Sequence, residues 1–480
     1  MCCVNHGMTD IEQWAETEFG TTDLGDKRRT DRLIRLAAEV ARHPAGTVTR
    51  ACASSASREG AFRWLENWAV RPEPVTRAVE DAALKRCRGQ RRVYVPVDAT
   101  SLTVTDRARS KGFGGVGAWS DGSRGVHVMS AFAVNEDGCP LGICGQRMWV
   151  RENRSQASGK GRSGDLQQRE TRFWLDLLEN THAGFAKTSP GCTPWYQLDR
   201  GADCWPVFEL AQRLELLLTV RAAHDRRLDG RAQSLLSAVE RAAVRAHLEV
   251  KVPARPGRRK RQRRAGRRIH WRTPPQPARI ARIAIRAATV PLMLTTATGK
   301  RFVVHVNAVL AREKGRHDEK IEWLLLTTHP IRTRADVVAV VRGYTLRWRI
   351  EDLHRTWKSG LCRVEDSQLR SRDAFFKWAT LLGTVASRAM RITHRARNEP
   401  DVPATEELTR TEIEALIALR QPKQTRLTHV PTLAQAVRWL ADLGGYTGPW
   451  NGPPGPTVVG RGLQDVLAAA RAFESRDRMR

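Results

Sequence analysis

The sequence predicts an α/β protein in three parts: a helical N-terminal segment, a strand-rich core with an insertion of different composition, and a helical C-terminal segment. Three observations carry this. Apolar residues recur at helical spacing over the first 75 or so positions. From Arg92 the pattern turns to short β-rich runs bounded by turn residues, and past about residue 370 helical spacing returns. With 480 residues, 41% of them hydrophobic, the chain can bury real cores and divides into roughly two to four domains.

In the first part, Trp14 to Phe19 leads into LGDKRRTDRLIRLAAEVARHP, where Leu33, Leu36, Ala37 and Val40 are helically spaced behind the basic run Lys27, Arg28, Arg29. A second helix, Ser57 to Trp68, carries Arg63 between Phe62 and Trp64, and Pro72 and Pro74 mark a boundary. Then comes RVYVPVDATSL, an apolar strand expected to end at Asp98. Gly125 to Asn135 and Cys139 to Val150 form a hairpin through Glu136-Asp137-Gly138. A helix over Gly164 to Asn180, a strand Trp195 to Leu198 ending at Asp199, a helix Cys204 to Leu214 and a strand Leu216 to Arg221 complete a β-β-β-α-β-α-β order. The insertion, about 222–340, holds strands near Ala287 to Thr296, Lys300 to Leu310 and Trp323 to Thr328 around the run PARPGRRKRQRRAGRRIHWR (253–272), of which 255–268 reads equally as a mobile loop. One helix is expected over Arg334 to Lys358. Helices Phe375 to Arg395, Glu406 to Leu419 and Leu433 to Leu443, the loop LGGYTGPWNGPPGP and a short helix Gly462 to Phe473 finish the chain.

The charge balance limits the function classes. Lys and Arg number 81 against 51 Asp and Glu, a net charge of +30, which points to a polyanionic partner, nucleic acid first. No apolar stretch is long enough for a membrane span, and the N-terminus lacks the basic and apolar regions of a secretion signal. The nine cysteines are scattered, with neither CxxC nor zinc-finger spacing, and read as reduced thiols. A solvated helix face is an equal alternative for Lys27, Arg28 and Arg29.

Asp98 and Asp199 each follow an apolar strand, where a side chain becomes free to hold a ligand. In YTLRWRIEDLHRTWKSG, Tyr344, Arg347, Glu351 and Lys358 fall at offsets 0, 3, 7 and 14, a helical stripe about 60° wide. Leu346, Ile350, Leu353 and Trp357 form a separate apolar stripe for docking. Alone, Glu351 would read as an i, i+4 partner of Arg347 or Arg355. Two strand-end aspartates in this element order resemble the ribonuclease-H-like fold, in which a third carboxylate comes from a later helix.

The spacing Y-x2-R-x3-E-x6-K resembles that of YREK-type transposases of insertion-sequence family four, a branch of the DDE superfamily. The resemblance extends over almost the whole chain. LGDKRRTDRL and EGAFRWLENW resemble its N-terminal DNA-binding domain, VDATSL and LDRGAD its two aspartate motifs, WLLLTTHP and RWRIEDLHRTWKSG the block around its glutamate, and LADLGGYTGPWNGPPGP its dimerisation region. Gly201 departs from the D-R-E-A-D run more usual in the family. The resemblance implies three domains: a DNA-binding domain over 1–75, a ribonuclease-H-like catalytic domain over 76–370 and a helical dimerisation domain over 371–480.

It further implies a cut-and-paste transposase that binds terminal inverted repeats, nicks the 3′ strand, passes through a hairpin and joins the element to target DNA as a homodimer. Phosphodiester chemistry of this kind suits two Mg²⁺ ions about 3.5–4 Å apart, with Mn²⁺ able to substitute. Asp98 would bridge both metals, and Asp199 and Glu351 would each complete one site. Tyr344, Arg347 and Lys358 would hold phosphates, Lys27, Arg28, Arg29 and Arg63 would contact the transposon ends, and Trp323, 21 residues before Tyr344, would stack on a flipped base. Trp323 also reads as a core aromatic. The implied location is the bacterial cytoplasm, at the nucleoid, with no membrane partner. A catalytically inactive, transposase-derived DNA-binding protein or inhibitor is the competing expectation, and a plain hydrolytic nuclease of the same fold is a third.

Overall fold

The computed structural model describes residues 10–117, 122–151, 170–229, 233–252, 259–264, 267–272, 274–296, 298–315, 320–420, 430–448 and 453–477. The chain divides into two compact units, one made of Met1–Gln197 with Leu346–Arg480 and the other of Leu198–Thr345.

The first unit opens with five helices: α1 (Asp10–Phe19), α2 (Lys27–Arg42), α3 (Val48–Ala51), α4 (Ser55–Glu66) and α5 (Pro72–Arg86). Helix α2 starts where Asp26 caps it by accepting from Arg28 N, and Ser54 caps α4 in the same way through Ser57 N. Pro72 and Pro74 open α5, because a proline in the first turn lacks only an N–H that has no helical partner there. Strands β1 (Arg92–Thr103), β2 (Gly114–Gly115), β3 (Arg124–Val134) and β4 (Pro140–Trp149) come next, then α6 (Thr171–Thr188) and β5 (Thr193–Leu198). The first half of the expected helix at Gly164 lies outside the described residues.

In this sheet β1 lies between β3 and β5, and β4 pairs with β3. The β1–β3 pairing is antiparallel, with Asp98 opposite Ser130 and Thr103 opposite Gly125. Strand β1 therefore does not end at Asp98 but runs five residues further. The Thr- and Ser-rich continuation carries less apolar character, yet its backbone is held by β3 along its length. Two glycines let helices close on this sheet. Gly138, at φ 80° in the turn after β3, sits where an added Cβ would meet Leu346 Cδ2 at 2.8 Å, and Gly142, at φ 136°, leaves room for Ala83 of α5.

The second unit contains a 3₁₀ turn (Arg200–Ala202), helices α7 (Trp205–Arg213) and α8 (Leu235–Glu240), and strands β6 (Leu217–Arg221), β7 (Val244–Val252), β8 (Arg259–Arg264), β9 (Arg267–Arg272), β10 (Arg279–Thr295), β11 (Arg301–Glu313) and β12 (Glu322–Thr327). It closes with α9 (Arg334–Thr345). The strands run in the order β6-β12-β11-β10-β7, each pair antiparallel, and β8 and β9 form a separate two-stranded sheet. Ala281, Ile283, Ile285 and Ala287 are buried at alternate positions of β10, the period-two pattern of a half-buried strand. The mobile-loop alternative for 255–268 is corrected over the described residues 259–264 and 267–268, which are strand.

The chain then returns to the first unit with α10 (Trp348–Lys358), α11 (Arg372–Asn398), α12 (Arg410–Arg420), α13 (Leu433–Leu443) and α14 (Pro456–Asp477). The single helix expected over Arg334 to Lys358 is two helices. Thr345 turns its hydroxyl back to the Arg342 carbonyl at 2.6 Å, offering the backbone a local alternative to continuing, and the helix restarts at Trp348. Helix α14 begins six residues earlier than its expected start, within the Pro/Gly tract. Helices α11 to α14 share an apolar core that includes Ile392, Leu416, Leu440 and Val466. The mixed α/β architecture is consistent with a ribonuclease-H-like DDE domain. The described cysteines are free, and among the described residues no helix is long and apolar enough to cross a membrane.

Helix α10 packs on β1 and α11. Ile350, Leu353 and Trp357, three of the four residues in the expected apolar stripe, are fully buried, and the Trp357 indole donates to the Ala379 carbonyl at 3.0 Å. Trp357→Ala is expected to destabilise the first unit by about 3–5 kcal/mol, the usual loss for a large buried aromatic. Trp357→Phe, which keeps most of the ring, should cost about 1–2 kcal/mol. Denaturant midpoints would check both, and an unchanged midpoint for the alanine variant would remove this indole from the core.

Candidate active site

A strand and a helix present two carboxylates to one cation. Asp98, in β1, accepts from Ala99 N at 2.8 Å through Oδ1 and from Arg347 Nη1 at 3.1 Å through Oδ2. The other terminal nitrogen of the same guanidinium, Nη2, donates to Glu351 Oε1. Arg347 is nearly buried, with 11% of its side chain exposed, whereas Asp98 and Glu351 keep 21% and 31%. The planar fork suits this task, since its two donors are held at fixed spacing and charge-assisted bonds are the stronger kind. The helix restart places Glu351 in the first turn of α10, where the N-terminal end of the helix favours a negative charge.

The far end of α10 is fixed to the same strand. Lys358 Nζ donates to the Ser101 carbonyl at 2.6 Å and to Thr100 Oγ1 at 3.3 Å, and lies 3.6 Å from Glu365, which in turn accepts from Thr103 N. Between these anchors His354 is buried. Desolvation, reinforced by Lys358 and Arg347, pushes it down to about 3, so at neutral pH it is the uncharged imidazole and adds no positive charge to the site.

The other expected site residues are held by neighbours of their own. Asp199 follows β5 and caps the 3₁₀ turn, its Oδ1 accepting from Gly201 N at 2.8 Å. Nearby Asp203 is buried and structural, accepting from Ala223 N and from Arg226. Tyr344 belongs to α9, in the second unit, so the stripe drawn along one straight helix does not hold across the break. Its ring is buried and meets half-buried Trp323 edge to face, centroids 5.4 Å apart at 65°. In the N-terminal helices Lys27, Arg28 and Arg63 are exposed. Arg63 pairs with Glu59 on the same helix face, and Arg29 bonds the Leu24 carbonyl at 3.0 Å while its own carbonyl accepts from the Trp64 indole.

Two exposed aromatics escaped the sequence reading. Trp348 is 46% exposed beside the carboxylates, with the Arg347 guanidinium 5.7 Å from its ring centroid. Its offset of four from Tyr344, about 40° on a helical projection, was the available signal. Trp68 is 87% exposed just past α4, and no periodicity marks it.

Hard carboxylate oxygens gathered about a positive centre are the donor chemistry a divalent cation such as Mg²⁺ takes, and Asp98 and Glu351 fit it. Among the described residues no group of three or more His, Cys, Asp or Glu side chains stands at metal-binding spacing.

Residues 11–70 match the family model described as Transposase DNA-binding, and residues 213–387 match the model described as Transposase DDE domain. The first segment contains Lys27, Arg28, Arg29 and Arg63. The second contains Trp323, Tyr344, Arg347, Glu351 and Lys358, while Asp98 and Asp199 precede it. Together the two matches support a DDE transposase, with a DNA-binding domain and a domain of the DNA-cleaving, metal-dependent class.

Proposed function

We propose that this chain is a cut-and-paste transposase of the YREK type: it binds terminal inverted repeats through its first 75 residues, nicks, forms a hairpin, and transfers the freed end into target DNA as a homodimer. Support comes above all from the pairing of Asp98 and Glu351 through Arg347, carboxylates on a strand and a helix that otherwise lie 253 residues apart in sequence (351 − 98). Asp199 completes the carboxylate set on the strength of its sequence motif. Bound there, divalent ions, two per site, would supply a nucleophile at neutral pH and stabilise the leaving oxygen. The chain's own residues orient the rest. Arg347 fixes the two carboxylates, and its fixed positive charge suits a neighbouring phosphate. Lys358 holds α10 against β1. The half-buried Trp323 ring, propped by Tyr344, offers an aromatic face to an unstacked base.

The test is cleavage of a duplex carrying the inverted repeats that flank the gene. In Mg²⁺ the wild type should nick it and then close a hairpin. Asp98→Ala, Asp199→Ala and Glu351→Ala should each abolish nicking while leaving repeat binding within a few fold. Wild-type nicking by any of the three would remove that residue from the site. Repeat binding by the wild type without any nick would favour the inactive DNA-binding alternative.

Trp323 separates two roles by what its loss affects. Trp323→Ala removes an edge-to-face contact worth about 0.5–1.5 kcal/mol, so the melting temperature should fall only slightly. The first nick should persist and hairpin yield should drop, with partial rescue by an abasic site at the flipped position. A large drop in melting temperature with uniformly reduced nicking would leave Trp323 as packing.

A further inference from the structure

The segment that matches the transposase DNA-binding model holds none of the chain's excess charge. Over residues 11–70 nine Lys and Arg stand against nine Asp and Glu, a net charge of zero in a chain of +30. Exposed Arg63 is paired with Glu59, and Arg28 lies 3.9 Å from Asp26. Phosphate attraction alone gives such a segment a weak grip on a duplex, and it carries no sequence information. Recognition by this segment therefore calls for contacts of another kind.

Trp68 offers one. Its ring is 87% exposed on the turn that joins α4 to α5. An aromatic side chain can bury about 150–250 Å², and tryptophan is enriched where a few residues carry most of a binding energy. On a slack loop such exposure would mean little, but this turn is fixed from several directions. Val70 N donates to the Asn67 carbonyl at 3.1 Å, and Ala69 N to Asn67 Oδ1 at 2.9 Å. From α11, buried Lys377 donates to the carbonyls of Asn67 and Val70 at 3.2 and 2.8 Å. Burial pushes that ammonium down to about 8, the mark of a charge placed there at a cost. A ring presented this rigidly loses little freedom on binding. The basic start of α2 adjoins it, because the Trp64 indole in the last turn of α4 donates to the Arg29 carbonyl at 2.9 Å. We propose that Trp68 is an apolar DNA contact, its indole laid against sugar and base edges in a groove of the terminal-repeat duplex while Lys27, Arg28 and Arg63 meet phosphates. The proposal rests on the reading above that this segment binds the repeats.

Full-length wild type, Trp68→Ala and Trp68→Phe would be titrated over a range of salt concentrations with a duplex carrying the flanking inverted repeats and with one of unrelated sequence. Trp68→Ala should weaken repeat binding by about tenfold or more, and Trp68→Phe, which keeps an apolar ring, by much less. The slope of log affinity against log salt should stay at the wild-type value in both, since no phosphate contact is removed. Melting temperatures should also stay at the wild-type value, because the ring is exposed. Wild-type affinity in Trp68→Ala would overturn the proposal. So would a slope shallower by about 0.9 or more, which would trace the loss to charge. A marked fall in melting temperature would place the ring in packing, and weaker self-association of Trp68→Ala without DNA would assign it to a second copy of the chain. If the wild type shows no preference for the repeats, the repeat-binding reading fails by itself. Trp68 is then judged on the unrelated duplex, where a tenfold loss at constant slope keeps it as a DNA contact and no loss overturns it.

Discussion

Two carboxylates brought near each other on a partly buried surface repel, and the arrangement survives only if a cation lies between them. Arg347 supplies it, and much of the first unit is arranged so that it can. The helical path stops at Thr345 and restarts at Trp348, which sets Arg347 at the mouth of α10 rather than within a continuous helix, and Glu351 in the new first turn. Asp98 is held by the backbone of its own strand, and Lys358 fastens the far end of α10 to that strand three residues on. A lysine at position 347 would offer one charged nitrogen where two separated donors are used. The guanidinium also marks a place where positive charge is favoured, which is what a divalent ion would exploit.

Much of this was legible in the sequence because it rests on local periodicity. The stripe of Ile350, Leu353 and Trp357 announces which face of α10 is buried, and all three are buried. The Asn135–Gly138 turn is written in its residues, with Asn135 Oδ1 accepting from Cys139 N and Gly138 taking a positive φ. What could not be read depended on partners distant in sequence. Strand β1 passes beyond Asp98 because β3 is there to pair with it, a fact absent from the ATSLT run itself. At the helix break a threonine hydroxyl bonds a carbonyl three residues back, a contact no hydrophobic spacing announces. The arginine-rich pair β8 and β9 shows no apolar alternation, so the usual signal for a strand was missing although the strands are there.

The N-terminal helices are bound to α11 through the side chains of that helix and not through chain connectivity alone. Trp378 of α11 donates its indole N–H to the Gly46 carbonyl at 2.8 Å, and Lys377, almost wholly buried, donates to the carbonyls of Asn67 and Val70. These are the carbonyls that flank exposed Trp68, so the position of that ring is set from α11. The same helix accepts the Trp357 indole of α10 at Ala379. Three successive residues, Lys377, Trp378 and Ala379, with the neighbouring turn of one helix, therefore hold both the DNA-recognition segment and the helix that carries Glu351.

This has a consequence for how such proteins can diversify. A change of recognition specificity achieved by exchanging the first 70 residues between relatives would carry over the exposed basic side chains, yet it would also import a new set of carbonyls and loop shapes against an unchanged α11. Recombination at the segment's end would thus succeed only among partners that keep the lysine and tryptophan acceptors in place. Point substitution on the exposed faces of α2 and α4 leaves those acceptors untouched and so changes the surface one residue at a time without disturbing the contact with α11.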